Sequence, residues 1–239
     1  MSGHSKWATT HRQKEANDAV RGKLFSRFSK AISIAVKTGG SDNPDSNLTL
    51  RVAIDRARAN NMPKDNIDRA IAKGRGSENL EQVVYEGIGP FGTSIIIDAA
   101  TDNRNRTGQE IKNILERGGG KLAGPNSVAF NFEPYGIVEV SKKDGGEMDL
   151  LTLIDLGAID VEERESIYNV YVKPQDLFDV KTKVEKAGFK VSSFELIQKP
   201  KSYQNLSGDE ASRFGHFLET VEANDDVQRV FTNANLSDE

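Results

Sequence analysis

Residues 135–200, YGIVEVSKKDGGEMDLLTLIDLGAIDVEERESIYNVYVKPQDLFDVKTKVEKAGFKVSSFELIQKP, hold six segments in which the apolar spacing switches between two periods. Residues 137–140, 158–162, 168–172 and 190–197 are short runs rich in β-branched and aromatic side chains, which read as strands. Residues 148–156 and 174–187 place apolar residues three and four apart, which reads as two helices, the second opened by Pro174. The order is β-α-β-β-α-β, the ferredoxin-like arrangement. Such a unit closes its own core, so residues 135–204 are expected to form a domain, with Lys199-Pro200-Lys201 as the linker leaving it.

The flanks are incomplete by comparison. Residues 82–86 and 93–100 read as strands around the turn Gly87-Ile88-Gly89-Pro90-Phe91-Gly92. Thr107 with Glu110 makes a capping box for a helix to about Arg117, ended by Gly118-Gly119-Gly120, and residues 128–132 form a further strand. A closing helix and strand are missing here. Residues 205–239 supply both, with a helix capped by Ser207 and Glu210 that buries Phe214, Phe217, Leu218 and Val221, then a strand over 227–232. The middle domain is therefore expected to be split, as 77–134 plus 205–239, with 135–204 inserted into it.

Residues 1–76 differ in texture. Residues 1–16 lack helical periodicity and read as an arm. Val20, Leu24, Phe28, Ala31, Ile32 and Ala35 mark one face of a helix over 18–38, closed by Gly39-Gly40. Leu50, Ile54 and Ala57 mark a second helix over 47–60. Pro63 opens a third, with Ile67, Ala70 and Ile71 inward and Gly74 as its stop. The fold class is α+β: an N-terminal three-helix domain followed by two ferredoxin-like α/β domains, the last inserted into the middle one.

Several chemistries are excluded or unsupported. The chain has no cysteine, which removes disulfides, thiolate metal sites and cysteine nucleophiles. No run approaches the ~20 apolar residues of a membrane span. The polar, basic start is not a secretory signal, so a cytoplasmic location is expected. His4, His11 and His216 fit no metal-ligand spacing. The literal G-x-G-x-x-G of residues 87–92 precedes a strand where a dinucleotide site needs a helix. Gly119-Gly120-Lys121 follows a helix where a phosphate loop opens one. No catalysis, cofactor, metal, membrane or small-molecule substrate is expected.

The charge pattern points elsewhere. Residues 1–76 carry 15 Lys/Arg against 7 Asp/Glu, while the remaining residues carry 17 against 29. A basic head on an acidic body suits a polyanion at the head. Lys23, Arg27, Lys30 and Lys37 fall within about 80° on the first helix, a stripe beside its apolar face, and Arg21 adds a further candidate cation to the same helix outside that arc. Such a stripe suits phosphates, or else is a solvated face. The arm adds His4, Lys6, Trp7, His11, Arg12 and Lys14, with Trp7 either stacking on unpaired bases or anchoring on the bundle. Lys64 and Arg69 lie on the third helix, where a helix-turn-helix would read DNA, although Asp65 and Asp68 share that helix. Arg104 and Arg106 stand at a helix start within an acidic region.

The segments Gly3-His4-Ser5-Lys6-Trp7, Asn60-Asn61-Met62-Pro63-Lys64-Asp65-Asn66-Ile67, Tyr85-Glu86-Gly87 with Gly89-Pro90, and Thr101-Asp102-Asn103-Arg104-Asn105-Arg106-Thr107 resemble the YebC/PmpR family. The resemblance runs nearly end to end. It departs at Asn126, where the family often has glycine, and at Phe231, where tyrosine is common. It implies three domains, no catalysis and no cofactor. It also implies a nucleic-acid partner: DNA, as in the bacterial members described as transcriptional regulators, or ribosomal RNA and the ribosome, as for related mitochondrial translational activators of cytochrome c oxidase.

Overall fold

The computed structural model describes residues 6–76, 80–143 and 146–237, with side chains from residue 21 to residue 236 within those spans. Helices α1 (Lys6–Gly39), α2 (Leu48–Ala59) and α3 (Lys64–Arg75) come first. The expected arm is thus helical from Lys6 onward. No glycine or proline interrupts residues 6–21, and a helix nucleated by its buried turns propagates readily through such residues.

Helix α1 is not one-sided. Residues 32–36 are buried without a break, more than one full turn, so the helix is covered all round there. One side, with Phe28, Ile32, Ala35 and Val36, packs on Leu50, Ile54, Met62 and Ile67 of the bundle. The other side meets strands of a sheet formed later in the chain. Gly74 does not stop α3, which continues to Arg75. Its role is close approach: a Cβ there would lie 2.6 Å from the Ser33 carbonyl oxygen and 2.7 Å from Val36 Cβ.

Strands β1 (Glu81–Ile88), β2 (Ser94–Thr101), β3 (Lys121–Ala123) and β9 (Val227–Thr232) form an antiparallel sheet in the order β3-β1-β2-β9. Helices α4 (Arg104–Arg117) and α7 (Gly208–Glu222) cover one face through Ile111, Leu115, Phe214 and Phe217, against Ile95 and Ile97. Between β3 and β9 in the chain lie β4 (Phe132–Ser141), β5 (Asp160–Glu163), β6 (Ile167–Val172) and β7 (Val191–Pro200), ordered β5-β6-β4-β7. Helices α5 (Glu147–Asp155) and α6 (Leu177–Lys186) close this second sheet's core with Leu153, Val180 and Val184 against Val138 and Val170.

Boundary differences have local causes. Helix α4 starts at Arg104 because Asn103 Oδ1 accepts from the Arg106 N–H at 3.1 Å; Thr107, expected as the cap, points inward instead. Residues 128–131 form no strand: a short 3-10 turn, Ala129–Asn131, leads into β4. Lys199 and Pro200 are no linker but the end of β7, paired with Glu133 and Phe132. Ser207 stands at the α7 N-cap without a side-chain bond. Strands β8 (Gln204–Ser207) and β10 (Ala234–Ser237) pair in parallel, too short to show a period in the sequence. Among the described residues no helix is long and apolar enough to cross a membrane.

Candidate nucleic-acid interface

Helix α1 sets the site by lying between α2 and α3 on one side and the first sheet on the other. Its cationic stripe lies along the seam with the first sheet, where the turn between α7 and β9 presents Asp225 and Asp226. Lys30 Nζ is 2.7 Å from Asp226 Oδ1 and donates to the Asp225 carbonyl at 3.0 Å. Lys23 Nζ approaches the Asp225 carboxylate at 3.8 Å, with both side chains well exposed. From the other side, Arg106 Nη2 donates to Asp226 Oδ2 at 2.8 Å and Thr107 Oγ1 donates to the same oxygen at 2.6 Å. Burial pushes the Asp226 carboxyl up, but donors from Lys30, Thr107 and Arg106 outweigh it and hold the group down at about 2.

Two further seams are built the same way. Arg56 Nη1 meets Glu195 Oε2 at 3.1 Å, joining α2 to β7. Arg229 of β9 binds Asp98 Oδ2 at 2.8 Å and donates to the Leu196 carbonyl at 2.5 Å, joining the two sheets. Between these contacts lies a cleft of about 270 Å³ whose walls include Leu24, Arg27, Val52, Glu195 and Gln228. Arg27 Nε and Gln228 Nε2 are buried there and have no partner among the described residues.

A second buried carboxylate, Glu86 of β1, is held by backbone donors, with no cation paired to it among the described residues. Its oxygens accept from the backbone N–H groups of Asn126, Val128 and Ala129 at 2.6, 2.8 and 2.9 Å. Burial raises this carboxyl, but the backbone bonds outweigh burial and keep it below its usual range. The loop wraps the carboxylate because Asn126 adopts φ +63°. That left-handed conformation explains the departure from glycine at this position, since asparagine tolerates it best among side chains with a Cβ.

The residues expected to bind nucleic acid are therefore distributed unevenly. His4 lies outside the described residues, as do the side chains of Lys6, Trp7, His11, Arg12 and Lys14. Lys30 and Arg106 are drawn together by Asp226, and Lys23 by Asp225, whereas Arg27 turns into the cleft. The stripe thus meets the acidic turn along part of its length instead of facing solvent throughout. Lys37 donates to the Leu80 carbonyl at 3.0 Å. Arg69 bonds the Asp65 carbonyl and Asn66 on its own helix. Arg21, Lys64 and Arg104 are exposed, and the Arg104 carbonyl accepts from the Tyr85 hydroxyl at 3.1 Å. Sequence reasoning missed Asp225, Asp226, Arg56 and Arg229, whose partners lie far away in the chain. The one signal available was the diacid after Asn224, at a turn before the last strand. No group of three acidic or histidine side chains able to hold a metal gathers among the described residues.

Comparison with known proteins agrees with this architecture. A family model described as the TACO1/YebC N-terminal domain matches residues 5–77, and one described as the TACO1/YebC second and third domain matches residues 80–234. The chain belongs to the YebC family. A YebC relative from Thermoanaerobacter pseudethanolicus, named as a probable transcriptional regulatory protein, is 43% identical over 244 residues, covering 100% of this chain and 99% of that protein. One from Bifidobacterium longum subsp. infantis, similarly named, is 46% identical over 245 residues, covering 100% and 97%. The crystal structure of a conserved hypothetical protein from Aquifex aeolicus superposes with a TM-score of 0.83 at 38% identity, covering 93% of each chain.

Proposed function

We propose that this YebC-family chain is a non-enzymatic, nucleic-acid-binding regulator of gene expression that meets its target through residues 1–76. Residues 77–134 with 205–239, and the inserted 135–204, are the two acidic bodies that carry this unit. The observation behind the reading is the exposure of Arg21 and Lys23 on α1 and of Lys64 on α3, in the one part of the chain with excess positive charge. A polyanion is drawn there and repelled by the rest. The names of the relatives favour control of transcription, and DNA is the polyanion that such a role would meet. Phosphate contacts of this kind supply affinity and register but no sequence reading.

The test is an anisotropy titration of the full chain against duplex DNA and against structured RNA between about 50 and 200 mM salt. Replacing Arg21, Lys23 and Lys64 by glutamate is expected to weaken binding and to flatten the log-affinity-versus-log-salt line by about one unit for each phosphate-binding cation removed. Stronger binding to RNA than to DNA would move the target to RNA. Salt-independent binding, or an unchanged slope in the triple variant, would refute the interface.

A further inference from the structure

The cations best placed to hold phosphate are already holding an anion that belongs to the chain. Lys30 and Arg106 approach Asp226 from opposite sides, one oxygen each, and Thr107 adds a hydroxyl donor to the second oxygen. Two cations and a hydroxyl converging on paired oxygens also match a phosphodiester, whose two free oxygens carry one shared charge. A polar cavity of about 650 Å³ opens against this cluster and brings Ser26, Ser29 and Lys73 to the same opening. Accessibility is graded: side-chain exposure is 46% at Arg106 and 25% at Lys30 but 8% at Asp226. A ligand arriving from solvent meets the cations while the carboxylate sits behind them.

Building on the nucleic-acid reading above, we propose that Lys30 and Arg106 form a backbone-phosphate site that Asp226 occupies in the free protein, and that a phosphodiester displaces this carboxylate on binding. The carboxylate acts as an internal competitor. Apparent affinity is lowered by the fraction of molecules in which Asp226 fills the site. Displacement also frees the turn between α7 and β9 from α1, so binding loosens the seam. Asp102 lies at the same opening, 3.0 Å from Arg106, and adds to the competition.

The experiment compares full-length wild type with Asp226→Asn, which keeps the shape of the side chain and removes its charge. Asp226→Asn is expected to bind duplex DNA or RNA roughly tenfold more tightly, a change of about 1.4 kcal/mol. Because one phosphate fills the site in the bound state of both forms, the salt line should rise with a change in slope of less than about one unit. A purely structural role predicts unchanged or weaker binding, and that result overturns the proposal. The cysteine-free chain allows a second measurement. Lys23→Cys with Asp225→Cys, bridged by a short bismaleimide, locks the seam shut, and the bridged form should bind more weakly than the same variant left unbridged. Equal affinities would overturn the proposal even if Asp226→Asn fails to fold. Inorganic phosphate is the third probe. If it raises the thermal transition of the wild type while Asp226→Asn leaves nucleic-acid affinity unmoved, the site is one for free phosphate and the proposal fails. Absence of salt-dependent binding in every form would refute the nucleic-acid reading itself, and this proposal with it.

Discussion

Glu86 and Asp226 are both buried carboxylates with lowered pKa, yet they are held by different means. Glu86 accepts from three backbone N–H groups of one loop next to its own sheet. Asp226 accepts from the side chains of α1 and α4, and so ties the helical region to the first sheet. A backbone cradle cannot be exchanged without unfolding the loop, because the N–H groups have no other acceptor once buried. A side-chain clamp can be exchanged, because lysine and arginine keep their charge in water and accept any anion of suitable shape. The first arrangement fixes a fold; the second is suited to a switchable contact.

Four substitutions sharpen or break that distinction. Glu86→Ala leaves three donors without an acceptor and should cost about 3 kcal/mol or more in urea unfolding. A cost below that of Asp226→Asn would reverse the comparison. Asp226→Asn should cost about 2 kcal/mol above pH 4. The sign follows from a folded pKa of about 2 against an ordinary 3.8: the stabilisation is present above 3.8 and is lost as pH falls through 2. The wild type should therefore lose more stability than Asp226→Asn across that window, and parallel acid-unfolding curves would contradict it. Thr107→Val removes one hydroxyl from Asp226 while keeping shape, with an expected loss of about 1 kcal/mol by thermal melting. Lys23→Ala breaks only an exposed pair and should stay within about 0.5 kcal/mol. A larger loss there would show that the whole seam, and not Asp226 alone, holds the two regions together.

The legibility of the site follows the same division. The cations of α1 are visible in the sequence because they recur at helical spacing with no acid between Asp18 and Asp42. That absence is local. It says nothing about acids nearly 200 positions away, and Asp226 is such an acid for Lys30. Gly74 misleads for a related reason. A glycine near a helix end is commonly a stop, but here it admits the backbone of α1. Asn126 stands out in the sequence only as a departure from a pattern, and its positive φ supplies the physical reason.

What the sequence determined by itself is the set of elements and their class. Period-two runs in 135–200 specify strands, three-and-four spacing specifies helices, and the charge imbalance separates residues 1–76 from the remainder. These are properties of neighbours along the chain, and the chain states them directly. What only the tertiary structure decided is where the charges point. Helix α1 is buried on every side at residues 32–36, and part of its stripe closes on Asp225 and Asp226. Pairing across a seam depends on distance in space, and charge interactions at contact distance are indifferent to separation along the chain.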